Sequence, residues 1–149
     1  MIHLQPIGIV RNGITADQRG TRWQDLVSEI VIDDAWRAML DGVAEFSHIW
    51  VVFFMDRIAA PDAPRVRPMK RADLPRVGIF ATRTPARPNP IGIRAVELLE
   101  ARDNVLRVRG LDALDATPVL DLKPYLARGD ALENTRVPAW VTQAWSDSK

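Results

Sequence analysis

The stretch GIFATRTPARPNPIG, residues 78–92, joins cationic and amide side chains to a proline-rich turn. Arg83 and Arg87 carry planar guanidinium groups that can bind a carboxylate or a phosphate through paired hydrogen bonds, and Asn89 adds an amide. Three prolines lie among them, at positions 85, 88 and 90. Because proline fixes φ, the loop has little freedom left to lose on binding. The segment is therefore predicted to hold an anionic ligand or one with several acceptor groups.

A second polar segment, GLDALDATPVLDLKPYL at residues 110–126, contains an aspartate-rich turn. Asp112 and Asp115 bracket this turn, and Thr117 follows it. Aspartates at such positions often accept hydrogen bonds from backbone N–H groups, which would give them a structural role. The presence of a second stiff, polar loop favours the other interpretation, in which the aspartates belong to a binding site.

A third candidate is the apolar strand FSHIWVVFFM, residues 46–55, which we expect to be buried. In such a strand His48 is more often a hydrogen-bonded core residue than a catalyst. Asp56 and Arg57 follow directly, where the strand leaves the core. Strand ends that border loops commonly bind ligands, and the alternative for these two residues is a surface ion pair.

The charged residues are unevenly distributed, although the formal net charge is only +1. Residues 57–109 carry 12 Arg or Lys against 5 Asp or Glu, and this basic block overlaps the proline-rich turn. Such a block indicates either a phosphate-bearing partner or a solvated arginine-rich face. The absence of cysteine excludes disulfides and thiolate chemistry, and with only two histidines we expect no metal site.

Several common site motifs are absent from the sequence. It contains no G-x-G-x-x-G, no G-x-x-x-x-G-K-[ST] and no G-x-S-x-G, which argues against the common Rossmann nucleotide sites, P-loops and α/β-hydrolases. The N-terminus lacks the pattern of a signal peptide, and the apolar run at 49–55 is too short to span a bilayer. We therefore expect a cytoplasmic protein.

The elements that must position these residues are mostly short strands. Alternation and turn residues predict strands at 3–10, 26–32, 46–55, 76–83, 91–101 and 105–111, and a short strand followed by a turn within 118–126. A short helix capped by Asp33 or Asp34 and a C-terminal helix at 138–145 complete the set. Residues 58–75 contain four prolines and no periodicity, which predicts a structureless, mobile loop. The expected fold is mainly β: a compact β-barrel with one or two short helices and long proline-rich loops.

In their order along residues 5–126, four segments of this chain resemble the TsaA-like family of tRNA methyltransferases. They are IGIVRN, FSHIWVVFF, GIFATRTPARPNPIGI and LDALDATPVLDLKPYL. The resemblance implies a barrel that binds S-adenosylmethionine without a Rossmann sheet. It also implies a homodimer with each cofactor site near the subunit interface. The implied reaction methylates N6 of threonylcarbamoyl-adenosine, next to the anticodon of certain tRNAs.

The resemblance also assigns roles to residues. Asp115 is the first candidate to accept the N6 proton or to orient the sulfonium, with Tyr125 and His48 as further catalytic candidates. The cofactor is expected to contact Asn12, Asp56, Arg57, Arg83, Arg87, Asn89, Pro90, Ile91, Gly92, Asp112, Thr117 and Pro118. The tRNA phosphates are expected to contact Arg65, Arg67, Lys70 and Arg71. These assignments assume that the arginine–asparagine turn and the aspartate turn form one pocket.

Two further expectations concern domains and one substitution. Residues 1–126 are expected to form the barrel domain, and residues 127–149 a C-terminal extension of it. The family usually has glycine where this chain has Ala116, so a positive φ there would cost of order 1 kcal/mol. Two alternatives to the tRNA methyltransferase stay open: the same barrel methylating a small molecule, and a nucleotide- or RNA-binding module without chemistry.

Overall fold

The chain folds around a closed six-stranded antiparallel β-barrel in a computed structural model that describes residues 1–16 and 21–146. The strands are β1 (Gly8–Arg11), β2 (Val27–Ile32), β3 (His48–Phe54), β4 (Arg65–Val66), β5 (Val77–Gly78), β6 (Ile91–Arg102), β7 (Val105–Arg109) and β8 (Pro118–Pro124). The barrel closes in the order β1-β2-β7-β6-β3-β8, and β4 pairs only with β5. The predicted mainly-β barrel is confirmed.

The core of the barrel is built mainly from strand residues that point inward by alternation, joined by Leu111 and Ala113 from the loop between β7 and β8. These side chains are at most 3% exposed: Val10, Ile30, Ile32, Ile49, Val51, Phe53, Val96, Leu106, Val108, Leu111, Ala113 and Val119. β-branched and aromatic residues of this kind pack well on a pleated surface. Two strand pairs are interrupted by a bulge, β3 with β8 at Val52/Phe53 and β6 with β7 at Leu98/Glu100. Bulges bend strands and help a small sheet to close.

The strand β3 is buried on one face only, which corrects the expectation of a fully buried strand. Ile49, Val51 and Phe53 point into the core, whereas the alternating residues are half-buried or exposed. His48 is on this outer face and is exposed, so its interpretation as a core histidine is wrong. The sequence does not reveal that one face of this strand lies outside the core, because most of its outward residues are also apolar.

Residues 59–89 and 126–146 form a compact unit separate from the barrel unit, which comprises the described parts of 1–58 together with 90–125. The stretch 58–75 is not structureless, because it contains β4, a hydrogen-bonded turn at Pro68–Lys70 and the buried side chain of Leu74. The strand expected at 76–83 is also wrong, since β5 covers only two residues and a 3₁₀ turn at Ile79–Ala81 follows it. The division of the chain at residue 126 stays a prediction.

The helices are short. A 3₁₀ helix runs over Asp34–Leu40, as expected in place, but Asp33 makes no side-chain capping bond to it. Two α-helices follow the barrel, α1 (Ala127–Asp130) and α2 (Ala139–Ser146). None of the helices among the described residues has the length and apolar character needed to cross a membrane.

Candidate functional site

In the barrel unit, Asp115 binds backbone N–H groups of a loop far away in the sequence. One carboxylate oxygen, Oδ1, accepts hydrogen bonds from the N–H groups of Asn12 at 2.7 Å and of Gly13 at 2.9 Å. The N–H of Asp115 donates to the carbonyl of Ile14 at 2.7 Å. The aspartate therefore caps backbone donors, as its turn position suggested, but those donors belong to the loop that follows β1.

Asn12 ties the same loop to two further parts of the barrel. Its side-chain amide donates to the Ser28 hydroxyl on β2 at 3.0 Å and to the carbonyl of Ala113 at 2.9 Å. Its amide oxygen accepts from the N–H of Ile14 at 3.0 Å. Ser28 is buried, so this contact is shielded from water. All hydrogen-bonding groups of the Asn12 side chain are thus used within the fold, which favours a positioning role over direct ligand binding.

Arg57, at the exit of β3, contacts both loops. Its guanidinium donates to the carbonyl of Asp115 and, at 3.5 Å, to that of Thr15. The neighbouring Asp56 is exposed, and its carboxylate has no hydrogen bond or ion pair within residues 1–16 and 21–146. Asp56 and Arg57 therefore do not form the surface ion pair that was their alternative interpretation. Arg57 braces the turns, whereas the Asp56 side chain takes no part in this bracing within the described residues.

The environment of Asp115 lowers its pKa. The two backbone N–H bonds, from Gly13 and Asn12, are the largest causes, and the positive charges of Arg57 and Arg11 add to them. A carboxylate with a lowered pKa is a weaker base. The proposed role of Asp115 as proton acceptor stays a prediction, and the geometry favours a role in positioning the two turns.

The three catalytic candidates are not brought together. The rings of His48 and Tyr125 lie 6.4 Å apart, and the backbone N–H of Tyr125 donates to the carbonyl of His48. Both residues lie at the start of β3, whereas Asp115 contacts Arg57 beyond its end. A strand of seven residues spans about 20 Å. One reaction centre therefore cannot use all three side chains within this barrel.

In the other unit, the proline-rich turn is stiffened by one of its own arginines. Arg87 donates to the carbonyls of Thr82 at 2.9 Å and of Thr84 at 3.3 Å, and its guanidinium lies 5.8 Å from the ring centroid of Phe80. Arg83 is exposed and has no hydrogen bond or ion pair within the described ranges. The two arginines of the motif are thus different: Arg87 shapes the turn, and Arg83 is available to a ligand.

The remaining predicted cofactor residues are of three kinds. Asn89 and Asp112 are exposed, and Pro90, Ile91 and Pro118 are half-buried or exposed. The side chain of Thr117 is buried, so it shapes the aspartate turn from inside. Gly92 pairs with Phe53, and a Cβ there would lie 2.3 Å from the Phe53 ring. A side chain at this position would therefore have to displace the Phe53 ring.

The four predicted phosphate contacts are also divided. Arg67 donates to the carbonyls of Ala72 and Leu74, and Arg71 binds both carboxylate oxygens of Asp73. Arg65 and Lys70 are exposed. Sequence reasoning missed Arg76, which lines a cavity with Arg65, Arg67 and Lys70, and also the exposed aromatic ring of Phe80. Arg76 could have been found from its place in the basic block.

Ala116 has a φ of 62°, so the position does require the left-handed conformation. Its N–H donates to the carbonyl of Val10 at 2.7 Å, which fixes the conformation in place. In L-residues this conformation costs about 1–2 kcal/mol because Cβ approaches the following carbonyl. The strain lies in the turn that also holds Asp115.

No group of three or more His, Asp or Glu side chains suited to a metal ion occurs within the part of the chain that the structure describes. Among the predicted cofactor contacts, Asp56 and Arg83 carry charged side chains without a partner within residues 1–16 and 21–146.

Comparisons with known proteins identify similar sequences and folds. The family model described as "tRNA-methyltransferase O N-terminal domain" matches residues 12–131. A probable S-adenosyl-L-methionine-binding protein of Methanothermobacter thermautotrophicus is 43% identical over 135 residues, which cover 88% of this chain and 95% of that protein. The tRNA (adenine(37)-N6)-methyltransferase of Escherichia coli is 44% identical over 96 residues, which cover 61% of this chain and 41% of the enzyme.

A crystal structure of TrmO from Pseudomonas aeruginosa has the same fold. Its TM-score is 0.71 at 29% identity, over 91% of this chain and 61% of that one. The chain thus spans nearly the full length of the archaeal relative, about two fifths of the Escherichia coli enzyme and about three fifths of the TrmO chain in that crystal structure.

Replacing Ala116 with glycine is expected to stabilise the protein by about 1 kcal/mol, because glycine adopts a positive φ without the Cβ clash. The measurement is the free energy of unfolding in urea. Ala131→Gly is the matched control, since Ala131 has a φ of −84° and glycine there only adds freedom to the unfolded chain. Equal destabilisation by both substitutions would contradict the assignment of strain to Ala116.

Replacing Asp115 with asparagine should cost about 1 kcal/mol at neutral pH, because a neutral oxygen accepts the two N–H bonds less strongly. The folded-state pKa of Asp115 is lowered, so its contribution is complete above the unfolded pKa of about 3.9 and is lost as pH falls toward the folded value. Urea unfolding from neutral to acid pH should therefore show a shallower acid loss in D115N than in the wild type. Asp41→Asn, at an exposed carboxylate without a described partner, is the control. An unchanged acid slope in D115N would refute the capping role.

Proposed function

The chain belongs to the tRNA-methyltransferase O N-terminal domain family, and from that premise we propose that it is an S-adenosylmethionine-dependent methyltransferase acting on tRNA. The observation that carries the proposal is the family match over residues 12–131, joined by relatives named for S-adenosylmethionine binding and for tRNA adenine methylation. More specifically, the proposed methyl acceptor is N6 of threonylcarbamoyl-adenosine beside the anticodon. The protein acts as a homodimer in the cytoplasm.

The charged groups of the chain fit the proposed cofactor. The amino-acid end of S-adenosylmethionine carries a carboxylate and an ammonium, and its sulfonium is positive. Arg83 offers a guanidinium, and Asp56 a carboxylate, without a partner among the described residues. A guanidinium can bind a carboxylate through two parallel hydrogen bonds. When bound, the cofactor supplies a methyl group activated by its sulfonium.

The residues of this chain contribute mainly by positioning. Asp115, Asn12 and Arg57 hold the turns of the barrel unit through bonds to backbone groups, so these loops need little ordering when a ligand binds. The N6 proton of the proposed substrate is made acidic by the attached carbamoyl group, so no strong base is needed. A weak acceptor is what a carboxylate with a lowered pKa provides.

The proposal places tRNA on basic and aromatic side chains. The segment 59–89 carries seven Arg or Lys against two Asp, which suits a phosphate backbone. His48 and Tyr125 present rings that can stack on an unpaired base, as aromatic residues do in RNA recognition. A base in an anticodon loop is already largely unstacked, so extruding it costs less than it does in a duplex.

A second candidate is a binding module that holds the cofactor without transferring a methyl group. It is favoured by the archaeal relatives, whose names state binding alone.

The experiment that separates the candidates combines calorimetry with product analysis. We expect the protein to bind S-adenosylmethionine and, with tRNA containing threonylcarbamoyl-adenosine, to form S-adenosylhomocysteine and a nucleoside heavier by one methyl group. The measurement is mass spectrometry of nucleosides after digestion, with unmodified tRNA as the control substrate. Binding without product would support the module. Product from small molecules and never from tRNA would overturn the tRNA assignment.

Arg83→Ala should raise the dissociation constant for S-adenosylmethionine, or the KM for tRNA, by roughly 10- to 100-fold, as expected for one lost charge-assisted hydrogen bond. Its melting temperature should stay unchanged, because Arg83 has no bond to the described chain. Arg87→Ala is the matched comparison: it removes the bonds to Thr82 and Thr84 and should lower the melting temperature. If R83A keeps both constants of the wild type, the role of Arg83 in ligand binding is disproved.

A further inference from the structure

A cavity of about 450 Å³ in the unit formed by residues 59–89 and 126–146 is lined almost entirely by cations. Its lining consists of Arg65, Val66, Arg67, Lys70 and Arg76. No carboxylate is among these lining residues. Like charges around one cavity repel one another, and an anion that binds there reduces this repulsion.

Two of the four cations are held by the backbone, and this fixes the direction of their guanidinium planes. Arg67 donates to the carbonyls of Leu74 at 2.7 Å and Ala72 at 3.3 Å, and Arg76 donates to that of Arg65 at 3.2 Å. A carbonyl is neutral, so both guanidinium groups keep their full charge and have donors left over. They form a preorganised cationic wall at little further entropic cost.

The other two cations, Arg65 and Lys70, are exposed, and their side chains have no hydrogen bond or ion pair within residues 1–16 and 21–146. Asp73, three residues after Lys70 and three before Arg76, is bound by Arg71 and by the Gln143 amide. The ion pair with Arg71 lowers the pKa of Asp73, so this carboxylate remains ionised and bound to Arg71. Asp73 is therefore engaged elsewhere and does not neutralise the cavity.

The backbone that carries Lys70 is strained. Met69 and Lys70 have φ angles of 53° and 56°, and two consecutive non-glycine residues in the left-handed region are unfavourable. The turn is held by bonds from the N–H of Lys70 to the carbonyl of Arg67 and from that of Arg71 to the carbonyl of Pro68. Strain of this kind is typical of segments that clamp a ligand. Here it places Lys70 on the lining of the cavity.

We propose that this cavity binds a backbone phosphate of RNA, with Arg65, Lys70 and Arg76 as its contacts and Arg67 as its fixed wall. The inference deepens the proposed function and rests on it for the identity of the RNA. The cavity of about 450 Å³ has room for a phosphate with part of its sugar. Arg76 takes the place of Arg71 among the expected phosphate contacts, because Arg71 is bound to Asp73.

The test is the salt dependence of tRNA binding, measured by fluorescence anisotropy over a series of potassium chloride concentrations. Arg65→Gln and Lys70→Gln remove charge without removing a bond in the described structure, so both variants should fold as the wild type does. Each should lower the slope of log K against log salt by about 0.7 to 0.9. Arg76→Gln should do the same, and its melting temperature records any effect of the lost bond to Arg65.

Arg136→Gln is the matched control, because Arg136 is exposed, belongs to the same unit and does not line the cavity. The proposal is overturned if R65Q and K70Q have the salt slope of R136Q. Pyrophosphate provides a second arm: if it binds in a way that R65Q abolishes while tRNA affinity stays unchanged by R65Q, the cavity serves small anions only and the RNA assignment fails.

Methyl transfer separates this proposal from the proposed function. Reduced salt slopes in a protein that forms no S-adenosylhomocysteine would support the phosphate site and count against the enzyme. Normal product formation with unchanged salt slopes would support the enzyme and count against the phosphate site. Calorimetry with S-adenosylmethionine should give the same affinity for R65Q, K70Q and the wild type, because these residues are assigned to the RNA alone.

Discussion

The hydrogen bonds that the Asp115 carboxylate accepts organise the loops at one end of the barrel. A single oxygen accepts two N–H groups from residues more than one hundred positions earlier in the chain, and Asn12 extends the link to β2 through Ser28. The loops after β1 and before β8 are thereby joined, and Arg57 adds the exit of β3. Because the bonds to Asp115 are charge-assisted, they are stronger than neutral ones. The strained φ of Ala116 is tolerated because these bonds surround it.

The barrel could be predicted because its signals are local. Strands β2 and β7 follow from alternation. The pattern of β6 alone also suits a helix, and β6 is predicted from the turn at Asp103 and Asn104 that leads into β7; Asp103 has a φ of 55°. The segment 76–83 was misassigned because an apolar, β-prone run does not reveal which of its residues is buried. Ile79 is buried and Phe80 is 80% exposed. The Thr82 hydroxyl bonds the carbonyl of Ile79 and favours a turn instead of a strand.

The residue types of the site could also be predicted from the sequence, but the roles of individual residues could not. Whether an arginine binds a ligand or a carbonyl depends on which carbonyls the fold brings near it, and that is non-local information. Arg83 and Arg87 are alike in the sequence and differ only because Thr82 and Thr84 direct their carbonyls at one of them. In the same way, His48 and Asp115 were grouped by chemistry, whereas strand direction places them at opposite ends of β3.

Three arginines of this chain stiffen loops without neutralising the positive charge of those loops. A loop stiffened by ion pairs would lose its positive field, because each carboxylate cancels a cation. Arg57, Arg67 and Arg87 instead bind backbone carbonyls, which are neutral, so the loops become rigid while the charge remains. Guanidinium suits this purpose because it has five donors in a fixed plane and stays charged at any physiological pH. Within residues 59–89 only Arg71 is paired with an acid in the described structure. The segment therefore keeps a positive field with few flexible groups to order, which is what a polyanionic partner requires.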